Sequence, residues 1–83
     1  MPLNNKDFFQ SKDLSLCATL CCLGYQIITI DKQNSSKAIF CFIRDNQIEQ
    51  IISDYWGHKL VVDPLAFFNF LKDNKSRIYE KTI

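Results

Sequence analysis

The chain has 83 residues, 47% of them hydrophobic and 13% aromatic, with ten basic and nine acidic side chains for a net charge of +1. A chain of this length forms one small domain that buries about 60–65% of the surface its unfolded form exposes, and this apolar content excludes a disordered polymer. Near-neutral charge without a clustered basic face argues against a dominant nucleic-acid footprint, the apolar runs fall short of the ~20 residues a membrane helix needs, and no secretory leader is recognisable, so the expectation is a cytoplasmic protein with reduced thiols and no membrane partner.

Residues 1–10 read as an N-terminal extension, 11–80 as a single domain and 81–83 as a tail. Ser11 to Leu23 reads as the first helix. Ser11 suits its N-cap, Asp13 the first turn and Gly24 the left-handed residue past its end, with Tyr25 folding back towards Leu20. YQIITID and KAIFCFIR, separated by the polar KQNSS, read as a β-hairpin with a loop of about five residues. Simple alternation puts Ile28 and Ile30 on one face of the first strand and Tyr25 and Ile27 on the other. In the second strand it separates Phe40 and Phe42 from Ile39, Cys41 and Ile43. Both faces are apolar, so both ask for a cover. One would be helices, the other a further element or a second copy of the chain.

Asn46 to Trp56 reads as the second helix, with Ile48, Ile51, Ile52 and Tyr55 as its apolar stripe. Asn46 and Glu49 have capping-box spacing, and Asp45 is an alternative cap. Gly57 ends that helix, and Lys59–Val62 has room for a short third strand. Asp63-Pro64 is a strong start signal for a third helix to about Tyr79, with Phe67, Phe68, Leu71 and Ile78 inward. The fold class is α+β: helix, hairpin, helix, short strand, helix, with one small antiparallel sheet packed on helices.

Cys17, Cys21 and Cys22 crowd the first helix, and Cys41 follows in the hairpin. At about 100° per residue Cys17 and Cys21 share the apolar side, Ser15 and Thr19 define the polar side, and Cys22 falls at the border. A zinc site would have to combine Cys17 and Cys21 with Cys41 and His58, without any CxxC knuckle. Neutral cysteine among large apolar residues behaves as a small hydrophobe, so the reading is core packing, with no metal and no cofactor. Cys22 is the candidate reactive thiol, but no neighbouring cation in the sequence lowers its pKa. A Cys–His pair through His58 would need an orienting group that the sequence does not mark, and no carboxylate pair or glycine-rich phosphate loop offers another route to catalysis or to a small-molecule substrate. Phe40 and Phe42 have the spacing of base-stacking aromatics, but the flanking basic and glycine residues are missing, so they read as core.

Two surfaces are candidates for interaction. Tyr55, Trp56 and His58 cluster in DYWGHK at a helix end. The competing assignment has Tyr55 completing the helix stripe and Trp56 capping the core. Lys72, Lys75 and Arg77, with Lys81 beyond them, give the C-terminal helix a basic bias, which suits the helix dipole and is the one feature that favours a phosphate contact.

FFQSKDLSLCATLCCLGYQII, KAIFCFI, IEQIISDYW and VVDPLAFFNFLKDNKSRIY follow one another in that order. Together they resemble a family of small bacterial proteins classed as a domain of unknown function, over roughly residues 8–79. The resemblance implies a compact α/β unit with no assigned activity and no catalytic residues to carry over. It also implies that Cys17, Cys21 and Cys22 occupy packing positions that the family fills with alanine and other small apolar residues. Ser11, Lys12 and Asp13 match the family's opening, where their roles read as helix capping. The functional expectation is a non-enzymatic module that binds another protein or pairs with itself. The alternative is a nucleic-acid-associated accessory protein of a phage or mobile element.

Overall fold

Alternation in IFCFI decides the architecture. The computed structural model describes residues 7–33 and 38–79, and among them β3 (Ile39–Ile43) is the central strand of a three-stranded antiparallel sheet. Phe40 and Phe42 are fully buried on one face, in a core they share with Leu16, Cys17, Leu20, Ala38 and Ile48. β2 (Ile27–Asp31) pairs along one edge of β3, as the hairpin reading required. Much of the connecting loop lies outside the described residues.

The other edge is filled by β1 (Phe8–Ser11), with Phe9 opposite Phe42 and Ser11 opposite Phe40. Residues 8–10 are therefore part of the sheet rather than of an N-terminal extension. The third strand comes from this segment and not from Lys59–Val62, which forms no strand. Four residues with one apolar pair are too short for period-2 alternation to stand out, and they become a strand by completing the β3 ladder. β1 and β2 flank β3, so the connection through α1 (Leu14–Cys22) skips one strand position and β3 returns between them.

A register shift in β2 corrects the expected facing of its side chains. Ile27 lies opposite Phe42 and Thr29 opposite Cys41, leaving Ile28 as the extra residue. Such a bulge places two consecutive residues against one partner. Ile28 and Thr29 are accordingly both exposed, whereas Ile27 and Ile30 both pack on the core.

The helix ends show which polar groups win. Asp13, not Ser11, caps α1: its Oδ1 accepts from the Leu16 N–H at 3.0 Å, while the Ser11 hydroxyl accepts from the Asp13 N–H. At the far end Gly24 has φ +99°, its N–H donates to the Cys21 carbonyl and the Tyr25 N–H donates to the Leu20 carbonyl, closing the expected C-terminal motif. Helix α2 (Ile48–Trp56) begins one residue later than the capping-box reading, with Gln47 and not Asn46 at its N-cap. Asp45 instead accepts from the Gln47 N–H and from the Tyr25 hydroxyl, and Glu49 pairs with Arg44 at 2.9 Å. α3 (Pro64–Tyr79) starts as expected, with Asp63 Oδ2 accepting from the Ala66 N–H at 2.8 Å.

α1 packs along α3, and side chains from all three helices reach the core on the Phe40–Phe42 face. This double cover buries Thr19 on the side expected to be polar, and its hydroxyl turns back to the Ser15 carbonyl at 2.9 Å. The inward row of α3 contains Phe67, Leu71 and Ile78 together with the buried Asn74, whereas Phe68 is exposed. The molecule measures 39 × 33 × 19 Å. Its short dimension suits one sheet and one helical layer, so the second face of the sheet has no helix on it among the described residues.

Candidate interaction surfaces

The four cysteines do not converge. Cys17 belongs to the core cluster, Cys41 is buried on the opposite side of β3, and Cys21 and Cys22 are partly exposed at the far end of α1. His58 is exposed beyond α2, and no three metal-ligating side chains gather among the described residues. Burial pushes the Cys17 thiol up to about 12. Burial also raises Cys21, an effect that the neighbouring Asn74 amide opposes, and raises Cys22, where the Asp63 carboxylate adds to it. These directions favour the neutral thiol, the unreactive form at neutral pH.

Tyr55, Trp56 and His58 do come together, but with different roles. Tyr55 packs on the core as the last residue of the α2 stripe, whereas Trp56 is exposed and leaves the core uncapped. The two rings meet edge to face, 5.0 Å between centroids and 86° between planes. Gly57 is the C-cap at φ −84°, and the left-handed position falls on His58 at φ 60°. The His58 N–H donates to the Tyr55 carbonyl and the Lys59 N–H to the Asp54 carbonyl, repeating the hydrogen-bond pattern that ends α1. The chain then runs on past an open groove of about 580 Å³ walled by Tyr55, His58, Leu60, Val62 and Phe67.

Lys72, Lys75 and Arg77 are only partly together: Lys75 and Arg77 border one open pocket with Asp73, Ser76 and Tyr79, and Lys72 is not among its walls. Lys72 and Lys75 stand on the solvent side of α3, and the Lys72 ammonium lies 5.4 Å from the centre of the Phe68 ring. Arg77 is partly buried on the other side, near Cys21, and its carbonyl accepts from Lys32 Nζ at 3.2 Å. Lys81 and Glu80 lie outside the described residues.

Sequence reasoning expected a second apolar face on the hairpin, but not the residues that make up the outer face of the sheet. Phe8 pairs with Ile43, and Ile28 bulges outward beside them, giving an uncharged apolar row across all three strands. Ile43 is 57% exposed and Ile28 44%. The next row is Gln10, Cys41 and Thr29, also uncharged. Alternation showed that β3 is apolar on both sides, but the third strand and the bulge that complete the row had no local signature.

The class that the fold defines is a thin α+β domain, with helices on one side of a three-stranded antiparallel sheet and an apolar row on the other. The family model for a domain of unknown function (DUF5659) matches residues 6–80, and the chain belongs to that family. No curated protein and no solved structure matches it. Among the described residues no helix is long and apolar enough to cross a membrane.

Proposed function

We propose that the chain is a non-enzymatic protein-interaction module that pairs with a second copy of itself through the outer face of its sheet. The observation that carries this reading is the row Phe8–Ile43–Ile28, apolar across three strands and without a cover among the described residues. A second copy is a suitable occupant because the first two rows hold no charge, so self-pairing brings no like charges together. Three strands about 4.8 Å apart and four residues of about 3.4 Å each give a footprint of roughly 200 Å², well below the roughly 800 Å² per partner of a standard interface. The pair is therefore weak and exchanging.

Sedimentation equilibrium across a concentration series tests the reading, with Ile43→Lys as the comparison. The exposed Ile43 accepts lysine without disturbing the core. Wild type is expected to self-associate at high micromolar concentration and Ile43→Lys to remain monomeric with an unchanged circular dichroism spectrum. A strictly monomeric wild type at millimolar concentration, or equal association of the two proteins, overturns it.

A further inference from the structure

The solvent side of α3 carries a second pattern, independent of the sheet. Leu65, Phe68, Lys72, Lys75 and Tyr79 are spaced 3, 4, 3 and 4 residues apart. This is the a/d spacing of a helix–helix seam, and at about 100° per residue the five positions fall within an arc of about 80°. All five are exposed, and the three large apolar members strongly so: Leu65 67%, Phe68 54% and Tyr79 71%. A helix that needed only one buried stripe for its own fold already has it in Phe67, Leu71, Asn74 and Ile78. The second stripe contributes nothing to that packing.

The charges on the stripe select the occupant. Lys72 and Lys75 stand at its middle, and among the described residues neither lies within ion-pair distance of a carboxylate. Lys72 rests on the Phe68 ring, which keeps its ammonium over the seam rather than away from it. A second copy laid antiparallel here would set Lys72 against its counterpart, a like-charge contact that disfavours self-pairing. Nucleic acid would use the two cations but would gain little from Leu65, since aliphatic side chains offer no stacking surface to bases.

We infer that the solvent face of α3 docks an amphipathic helix of another protein, one whose seam is apolar at both ends and acidic in the middle. Its end residues cover Leu65, Phe68 and Tyr79, and its carboxylates meet Lys72 and Lys75. The seam from Leu65 to Tyr79 is about 21 Å long at 1.5 Å per residue, so the complementary segment is two heptads. This surface lies on the helical layer, away from the sheet face proposed for self-pairing, and the Ile43→Lys protein is expected to bind the helix as wild type does.

The test uses the full chain and two synthetic helical probes of two heptads, both with leucine at the outer seam positions. One carries glutamate and the other lysine at the central seam positions. Fluorescence anisotropy at low salt is expected to show the glutamate probe binding at least tenfold tighter than the lysine probe. In the Lys72→Glu/Lys75→Glu protein, whose changes are on the surface, that preference is expected to invert. Amide shift mapping with the glutamate probe is expected to mark Leu65 through Tyr79. Equal binding of both probes, binding of neither, or shifts confined to the groove beside His58 overturns the inference. So does a labelled single-stranded oligonucleotide that binds tighter than the glutamate probe in a Lys72- and Lys75-dependent manner.

Discussion

Asn74→Leu is expected to stabilise the protein. Asn74 is 1% exposed, and neither its Nδ2 nor its Oδ1 meets a hydrogen-bond partner among the described residues. Its amide lies close enough to the Cys21 thiol to influence it, but without hydrogen-bond geometry. A buried amide left unpartnered costs about 1–3 kcal/mol. Leucine branches at the same carbon and removes that cost. Its extra volume would ordinarily bring about 1–3 kcal/mol of overpacking strain in a filled core. Here an open surface pocket of about 250 Å³ borders Asn74, together with Cys21, Ile27 and Phe70, and gives the added methyl volume a side on which to spread. The relief therefore wins by about 1 kcal/mol, which for a domain of this size raises Tm by about 4–8 °C. Urea titrations of the two proteins measure it, and the slope should stay constant so that the midpoint shift is a stability change. A loss of 1 kcal/mol or more would refute the reasoning, because it would mean that the amide has a partner worth more than its desolvation.

Three further outcomes follow from the geometry. Gly24→Ala is expected to cost about 1 kcal/mol, wholly from the left-handed backbone, since a Cβ there meets nothing within 4 Å, while His58→Gly is expected to gain about 0.5–1 kcal/mol by relieving a left-handed conformation at φ 60°; in thermal melts an unchanged or raised midpoint for Gly24→Ala would contradict the first, and a lowered midpoint for His58→Gly the second. Stability is expected to fall between about pH 9 and 12: with the folded Cys17 and Tyr25 groups both raised to about 12, the unfolded chain loses these protons first and binds fewer of them, and a flat urea midpoint over that range would count against the buried thiol. Alkylation of the folded protein, followed by peptide mass analysis, should modify Cys21 and Cys22 well before Cys17 and Cys41, all slowly at neutral pH; early modification of Cys17 would contradict its place in the core.

How far the sequence could be read depended on whether a feature was local. The Gly24 helix end, the Asp63-Pro64 start and the α2 stripe were legible because cap chemistry and 3.6-residue periodicity act within a few residues. β1 was not, since Phe8–Ser11 becomes a strand only by pairing with residues about thirty positions away. Nor was the Ile28 bulge, which reassigns the faces of β2 through its register with β3. Thr19 was misplaced because a helical wheel assumes one buried side, and α1 has two. Of the candidate surface residues, Tyr55, Trp56 and His58 proved to be neighbours, whereas Lys72 stands outside the pocket that Lys75 and Arg77 share, and Arg77 also borders Cys21 on the other side of the helix. The uncharged sheet face was half visible in IFCFI, and the other half needed the strands beside it.

The most direct test of the sheet-face account is a dilution series of backbone amide spectra from about 1 mM to about 10 µM, the range that brackets a weak dimer of small interface area. The account predicts concentration-dependent shifts at Phe8, Gln10, Ile28, Cys41 and Ile43, with α3 unmoved. Spectra that do not change with concentration, or changes confined to the helical layer, would contradict it.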